Sequence, residues 1–391
     1  MEKWGKRLAL GSAAMVIAIL TTVWLWPEPA RPHVPVEQIS ILRGENDFWL
    51  AADLRPPQDG LNAVSMQVTG RASTGPRGAL LQEWPGFHAE ARFHGTSVTV
   101  RFQDSENRWR ITLDDGRSGG IEISRPGVSD LRIQGLPEAD HWIRVEKISE
   151  SSMPASFGGI LIAEDAAALP PPAPMPRLIE FIGDSDTVGF GNAAQTRNCT
   201  EEEIFAATDT SKSFGPQVAR RLGADYRIIA RSGIGLLRNY GGAAPNSTMT
   251  SRYGLALPSN PSATWLSDRV ADIIVVGLGS NDFGSDFAPG EVWQDQDRLS
   301  TDFEPILISF LRDRLRENPG ALMVLLAFGE YGTPLVRPYE AAEKALHEDG
   351  ANVVLVTLPD LDRSACLWHP SAEDHQAIAD RIVSAIQERD G

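Results

Sequence analysis

The stretch Arg177-Leu-Ile-Glu-Phe-Ile-Gly-Asp-Ser185 decides how this chain is read. A short, mostly apolar run ends in a glycine and two polar residues, which predicts a buried strand entering a turn. Toward the C-terminus the pattern repeats. Tyr226–Ala230, Ala271–Gly277, Ala321–Ala327 and Asn352–Val356 read as further strands, with helices expected over 213–222, 302–316, 339–348 and 372–388. Buried strands alternating with helices predict a parallel sheet covered on both faces, a three-layer α/β/α domain over 177–391. Ligands of such sheets sit beyond the carboxyl ends of the strands.

Toward the N-terminus the signals change. His88–His94, Ser97–Phe102, Trp109–Leu113, Gly120–Ile123, Leu131–Ile133 and His141–Ile148 alternate like short strands, with Gly95 and Asp114-Asp-Gly116 as turns. They predict an all-β sandwich over 36–165. Between the two regions, 166–176 carries five prolines in eleven residues, which predicts a linker. A chain of 391 residues exceeds the roughly 250–300 at which single cores stop growing, which also argues for two domains.

At the start, Lys3, Lys6 and Arg7 precede an apolar run of 19 residues, Leu8–Trp26, and Pro27, Pro29, Pro32 and Pro35 follow. Residues 1–35 are therefore expected to form a transmembrane helix acting as an uncleaved signal-anchor, with a tether behind it. A cleaved signal peptide is the competing reading. Either way the remainder is expected outside the cytoplasm, periplasmic or otherwise extracytoplasmic, anchored at the membrane or secreted if the segment is removed.

Lys and Arg number 36 against 52 Asp and Glu, a net charge of −16 that repels phosphate backbones and excludes nucleic acid as a partner. The two cysteines, Cys199 and Cys366, are too few for a disulfide scaffold but could form one bridge in an exported chain. Cys366, His369 and His375 match no closed zinc spacing, and no paired-carboxylate signature accompanies Asp184, Asp282 and Asp360, so no metal or cofactor is expected. A monomer is expected.

Four strand-end positions carry chemistry. Ser185 follows the first strand, where free N–H groups of a helical turn can face an oxyanion. Arg231-Ser-Gly-Ile-Gly235 follows the second strand and allows close backbone approach. Asn281, after the third, has a side-chain N–H to donate. His369, in Trp368-His-Pro-Ser371 before the last helix, is placed to act as general base. Each alone is ordinary turn chemistry. Together they share one side of one sheet.

With those residues in place, the chain resembles the SGNH, or GDSL, hydrolase superfamily, and within it carbohydrate esterase family two. Phe181–Asn192, Ala230–Gly235, Gly279-Ser-Asn281 and Trp368-His-Pro370 are similar to that family's blocks, in its order. The resemblance implies a jelly-roll-like β-sandwich domain before an SGNH domain, and covers about residues 40–391. It implies Ser185 as nucleophile, His369 as base, and an oxyanion hole from Ser185 N–H, Gly233 N–H and the Asn281 side chain. The implied reaction removes acetyl groups from an oligo- or polysaccharide, as in acetylxylan esterases, through an acetyl–serine intermediate.

Two departures stand out. Asp186 occupies a place that is usually apolar, and Cys366 and Leu367 occupy the places where the family's acid stands. A backbone carbonyl, Asp360 or Asp362 would then orient His369. Under the same resemblance the loops of Cys199 and Cys366 border the site, and a bridge between them would hold the base loop; two unrelated thiols is the alternative. Trp293 and Trp368 are the expected sugar-stacking residues. Other functions left open are an O-acetylesterase acting on peptidoglycan or exopolysaccharide, a lipid esterase or thioesterase, and an inactive glycan-binding protein.

Overall fold

The computed structural model describes residues 38–45, 49–267 and 269–390. The expected membrane anchor is corrected: among the described residues no helix is long and apolar enough to cross a membrane. The run 8–26, on which that expectation rested, lies outside the described residues.

The N-terminal region is antiparallel β-structure in one 12-stranded sheet. Its main strands are β1 (His88–Asp104), β2 (Arg108–Leu113), β3 (Gly120–Ser124), β4 (Gly127–Lys147) and β5 (Ala155–Ile162). β1 and β4 pair along most of their length, with an irregularity between Gln134 and Ala139. The sequence pattern divides each into two strands, but the chain runs straight through. Gly95 adopts φ 145° inside β1, so it acts as an irregular strand position and not as a hairpin turn. Alternate residues of these strands, among them Phe93, Val100, Phe102, Trp109, Ile133 and Phe157, form one apolar core. Within the proline-rich 166–176, Ala167–Leu169 adds a short strand against Arg92–His94.

The C-terminal region has the expected parallel sheet. Its strands are β6 (Arg177–Gly183), β7 (Ala224–Ala230), β8 (Ile273–Gly277), β9 (Leu322–Phe328) and β10 (Val353–Leu358), in spatial order β7-β6-β8-β9-β10. Every strand pair is parallel. The helices are α1 (Ser185–Val188), α2 (Glu201–Ala207), α3 (Phe214–Leu222), α4 (Met249–Arg252), α5 (Ser280–Phe283), α6 (Gln296–Glu317), α7 (Thr333–Glu348) and α8 (Ala372–Asp390). α6 and α7 begin about six residues before the expected starts. Asp295 caps α6 through the Arg298 N–H, and Pro334 lies in the first turn of α7, where its missing N–H costs nothing.

The strand order reverses at β6, whose neighbours are β7 and β8. Gly183 pairs with Ala230 on one side and Gly277 on the other, so three strand ends finish level. That is where a doubly wound sheet opens a crevice. Trp84, from the β-rich region, is buried in the core of the parallel-sheet region, with its indole N–H donating to the Leu255 carbonyl at 3.0 Å.

Candidate active site

Ser185 is the first residue of α1 and is almost fully buried. Asp184 caps this turn by accepting from the Asp186 N–H at 3.1 Å. Gly183 is required before it, because a Cβ there would meet Thr187 Oγ1 at 1.9 Å. Ser280, after β8, donates its hydroxyl to Asp184. Burial pushes the Asp184 carboxyl up, and the neighbouring Asp186 charge adds to this. Burial also opposes charge on Asp186, but the Arg363 guanidinium outweighs it, helped by His369 and His375, and holds that carboxyl below the usual range.

The oxyanion candidates meet at the three level strand ends. Asn281, in α5, donates one side-chain N–H to the Ile234 carbonyl at 2.9 Å, which leaves its other N–H to give. The loop after β7 is held from several sides. Ser232 N–H donates to Glu150 at 2.7 Å, Gly235 N–H to Asn239 at 2.9 Å, and the Leu236, Leu237 and Arg238 N–H groups to Asp282. Among the described residues, the N–H groups of Ser185 and Gly233 have no protein acceptor. Two free backbone donors and a half-used amide are the equipment for holding a developing negative oxygen. Asp282 is pushed up to about 6 by burial, offset in part by the backbone N–H groups it accepts.

His369 stands near the end of the loop that joins β10 to α8. Its Nδ1 lies 2.9 Å from the Cys366 carbonyl oxygen. A carbonyl only accepts, so Nδ1 carries the proton and Nε2 is the basic nitrogen. Asp362 is largely exposed and lies 4.0 Å from Arg197, and Asp360 is exposed. The position beside Nδ1 belongs to the carbonyl.

The loop carrying His369 is tied to the segment after Ser185 at many points. The Phe190 and His369 rings are 4.4 Å apart, and the Phe190 N–H donates to the Ser185 carbonyl at 3.1 Å. Arg363 pairs with Asp186 at 2.7 Å and with Glu330. A disulfide joins Cys199 to Cys366. Gly191 has φ 59°, and a Cβ there would reach the Cys366 Cβ at 2.6 Å, so only glycine lets the two segments touch. The Leu367 N–H donates to the Arg197 carbonyl, and the Arg197 guanidinium stacks over Trp368 at 3.7 Å.

Trp368 is 64% exposed beside His369, whereas Trp293 is half-buried against the core and donates to Asp302. Trp368 therefore offers an open ring face and Trp293 a packed one. Cys366 is in a disulfide, and His375 is buried with Nδ1 accepting the Phe214 N–H. No thiolate is left for zinc there. A cavity of about 340 Å³ adjoins the site, lined by Phe190, Ser232, Glu150, Ser152, Glu201 and Phe205 among others. Sequence reasoning missed Glu150, Arg363 and Phe190. The only signal was Asp186 standing in an apolar place, which called for a cation nearby.

Residues 68–172 match the family model "Carbohydrate esterase 2 N-terminal", and residues 179–382 match "GDSL-like Lipase/Acylhydrolase". An acetylxylan esterase / glucomannan deacetylase of Cellvibrio japonicus (strain Ueda107) is 33% identical over 311 residues, 79% of this chain and 85% of that protein. A carbohydrate esterase solved for its "divergent catalytic and non-catalytic binding functions" superposes with TM-score 0.76 at 31% identity, covering 84% of this chain and 98% of that one. A family two carbohydrate esterase from Clostridium thermocellum, solved with cellohexaose, superposes with TM-score 0.72 at 28% identity, covering 83% and 99%. Two matched domains in this order, and a relative sharing a third of its residues across most of both chains, establish that this protein belongs to carbohydrate esterase family two and is a carboxylic ester hydrolase.

Proposed function

We propose that the chain removes O-acetyl groups from a carbohydrate through an acetyl–serine intermediate. Ser185 Oγ attacks the ester carbonyl and passes its proton to His369 Nε2. The oxyanion is held by the N–H groups of Ser185 and Gly233 and by the free Asn281 amide N–H. Collapse expels the sugar hydroxyl, which takes the proton back from His369. Water, deprotonated by His369, then releases acetate and frees Ser185. The supporting observation is the Nδ1–H bond from His369 to the Cys366 carbonyl, which makes Nε2 the base without any side-chain acid.

The substrate class follows from the relatives' names together with the lining of the cavity. Its phenyl faces, serine hydroxyls and carboxylates suit a sugar unit. A long acyl chain lying along the Glu150 and Glu201 carboxylates would strip them of water, which disfavours a lipid esterase. Trp368 is the stacking residue in this reading. Functionally, 36–165 acts as the sandwich domain, 166–176 as the connection and 177–391 as the hydrolase domain. The disulfide fits an extracytoplasmic setting.

The test is acetate release from acetylated xylan, glucomannan and a small aryl acetate. Ser185→Ala is expected to lower kcat by about a thousandfold or more on each. Wild-type activity on none of these esters, or a preference for long acyl chains, overturns the reading.

A further inference from the structure

The loop between β4 and β5 belongs to the β-rich domain, yet it ends against the oxyanion loop of the other domain. Glu150 Oε1 accepts the Ser232 N–H at 2.7 Å, a contact between residues 82 apart in sequence. Ser232 directly precedes Gly233, whose own N–H is free. One residue earlier, Arg231 pairs with Glu83 at 3.1 Å, and Glu83 is fully buried in the same β-rich domain. Two successive residues of the oxyanion loop are thus gripped by carboxylates from across the domain boundary.

The grip is rigid on the β side. Ser149 and Ser151 flank Glu150, and both donate to the Asn107 side-chain oxygen, at 3.1 and 2.9 Å. Ser149 also accepts the Arg108 N–H at 2.8 Å. Lys147 Nζ donates to Ser151 at 2.8 Å and to the Glu83 carbonyl at 2.7 Å. The neighbouring Ile148 carbonyl accepts the Thr210 N–H at 2.9 Å, which fixes the loop to the hydrolase side as well. A charged acceptor mounted on such a frame fixes the plane of the peptide it holds. The Ser232–Gly233 peptide is the next unit along, and its N–H is the donor aimed at the oxyanion.

We propose that Glu150 is a positioning residue for the oxyanion hole, so that the β-rich domain acts in catalysis by orienting the Gly233 N–H. This rests on the esterase reading above. A displaced donor costs rate and not binding, because the oxyanion exists only in the transition state.

The experiment compares full-length wild type, Glu150→Ala and Glu150→Gln on a small aryl acetate, with amide hydrogen exchange of residues 231–235 measured on all three. Glutamine keeps an oxygen that can accept the Ser232 N–H. Glu150→Ala is expected to lower kcat about tenfold or more, with KM within about twofold, and to speed exchange over 231–235. Glu150→Gln is expected to stay within about threefold of wild type on both measures. Wild-type kcat in Glu150→Ala, or an equal loss in Glu150→Gln, overturns the proposal, as does unchanged exchange in Glu150→Ala. The exchange arm stands even if wild type hydrolyses no ester, an outcome that would sink only the esterase reading.

Discussion

Asp186 and His375 show how single buried residues are tuned around Ser185. Asp186 stands in an apolar place of the nucleophile block, and Arg363 supplies the charge that makes an acid tolerable there. An unpaired carboxylate at that depth would cost several kcal/mol, so the two residues stand or fall together. His375 lies on α8, fully buried, with Nδ1 accepting the Phe214 N–H and its pKa lowered to about 4, chiefly by burial. Its folded pKa is below the unfolded value of about 6.5, so the unfolded chain binds the proton first as pH falls. The stability it contributes is present above 6.5 and is lost between 6.5 and 4. Wild type is therefore expected to lose about 1.5 kcal/mol more than His375→Gln between pH 6.5 and pH 5, by urea denaturation at the two pH values. An equal loss in both proteins would mean that His375 is not held neutral.

At the scale of elements, the loop 359–371, which carries His369, needs outside support. Arg363, Leu367 and Trp368 all take positive φ, of 49°, 50° and 63°, without being glycine. Each such residue costs about 1 kcal/mol or more, and persists only where the surroundings impose it. The disulfide to Cys199, the Arg363 pairs and the Arg197 contacts provide that imposition. The double variant Cys199→Ala/Cys366→Ala is expected to lose about 2–4 kcal/mol of stability, and to lose kcat more than KM changes. Calorimetry and steady-state kinetics check the two halves separately, and an unchanged kcat would show that the loop holds itself.

Elements also mark what could be read from sequence. The five buried strands of the parallel sheet are continuous apolar runs between helices, and their ends, with Ser185, Asn281 and His369 beyond them, follow from that pattern alone. β1 and β4 did not read as single strands, because Gly95 and the 134–139 irregularity resemble turns until a partner strand is seen to run past them. Glu150 and Arg363 left no local trace. Their partners lie 82 and 177 residues away, and a distance in sequence carries no periodicity to detect.

For the whole molecule, the two regions share buried groups across their boundary. Trp84 fills the hydrolase core, Arg71 reaches Glu180 within β6, and Arg144 and Glu146 of β4 both meet the Tyr226 hydroxyl. Arg110 pairs with Asp209 at 2.6 Å. Removing the β-rich region would expose the Trp84 site and leave Glu180 short of a cation. Residues 177–391 alone are expected to lack a cooperative unfolding transition, where residues 38–391 show one. Near-ultraviolet circular dichroism during heating distinguishes the outcomes, and a sharp transition for 177–391 would show that the hydrolase region is self-sufficient.

In the proposed mechanism the Cys366 carbonyl, 2.9 Å from His369 Nδ1, orients the base, and this has a genetic consequence. An aspartate in that role can be erased by one codon change, whereas a main-chain oxygen is encoded by every residue alike. On that reading, alanine scanning of this loop will find no side-chain acid that orients His369. The orienting function is lost only when the path of the backbone changes, through a deletion, an inserted residue or a proline that the turn at 366–368 cannot accept.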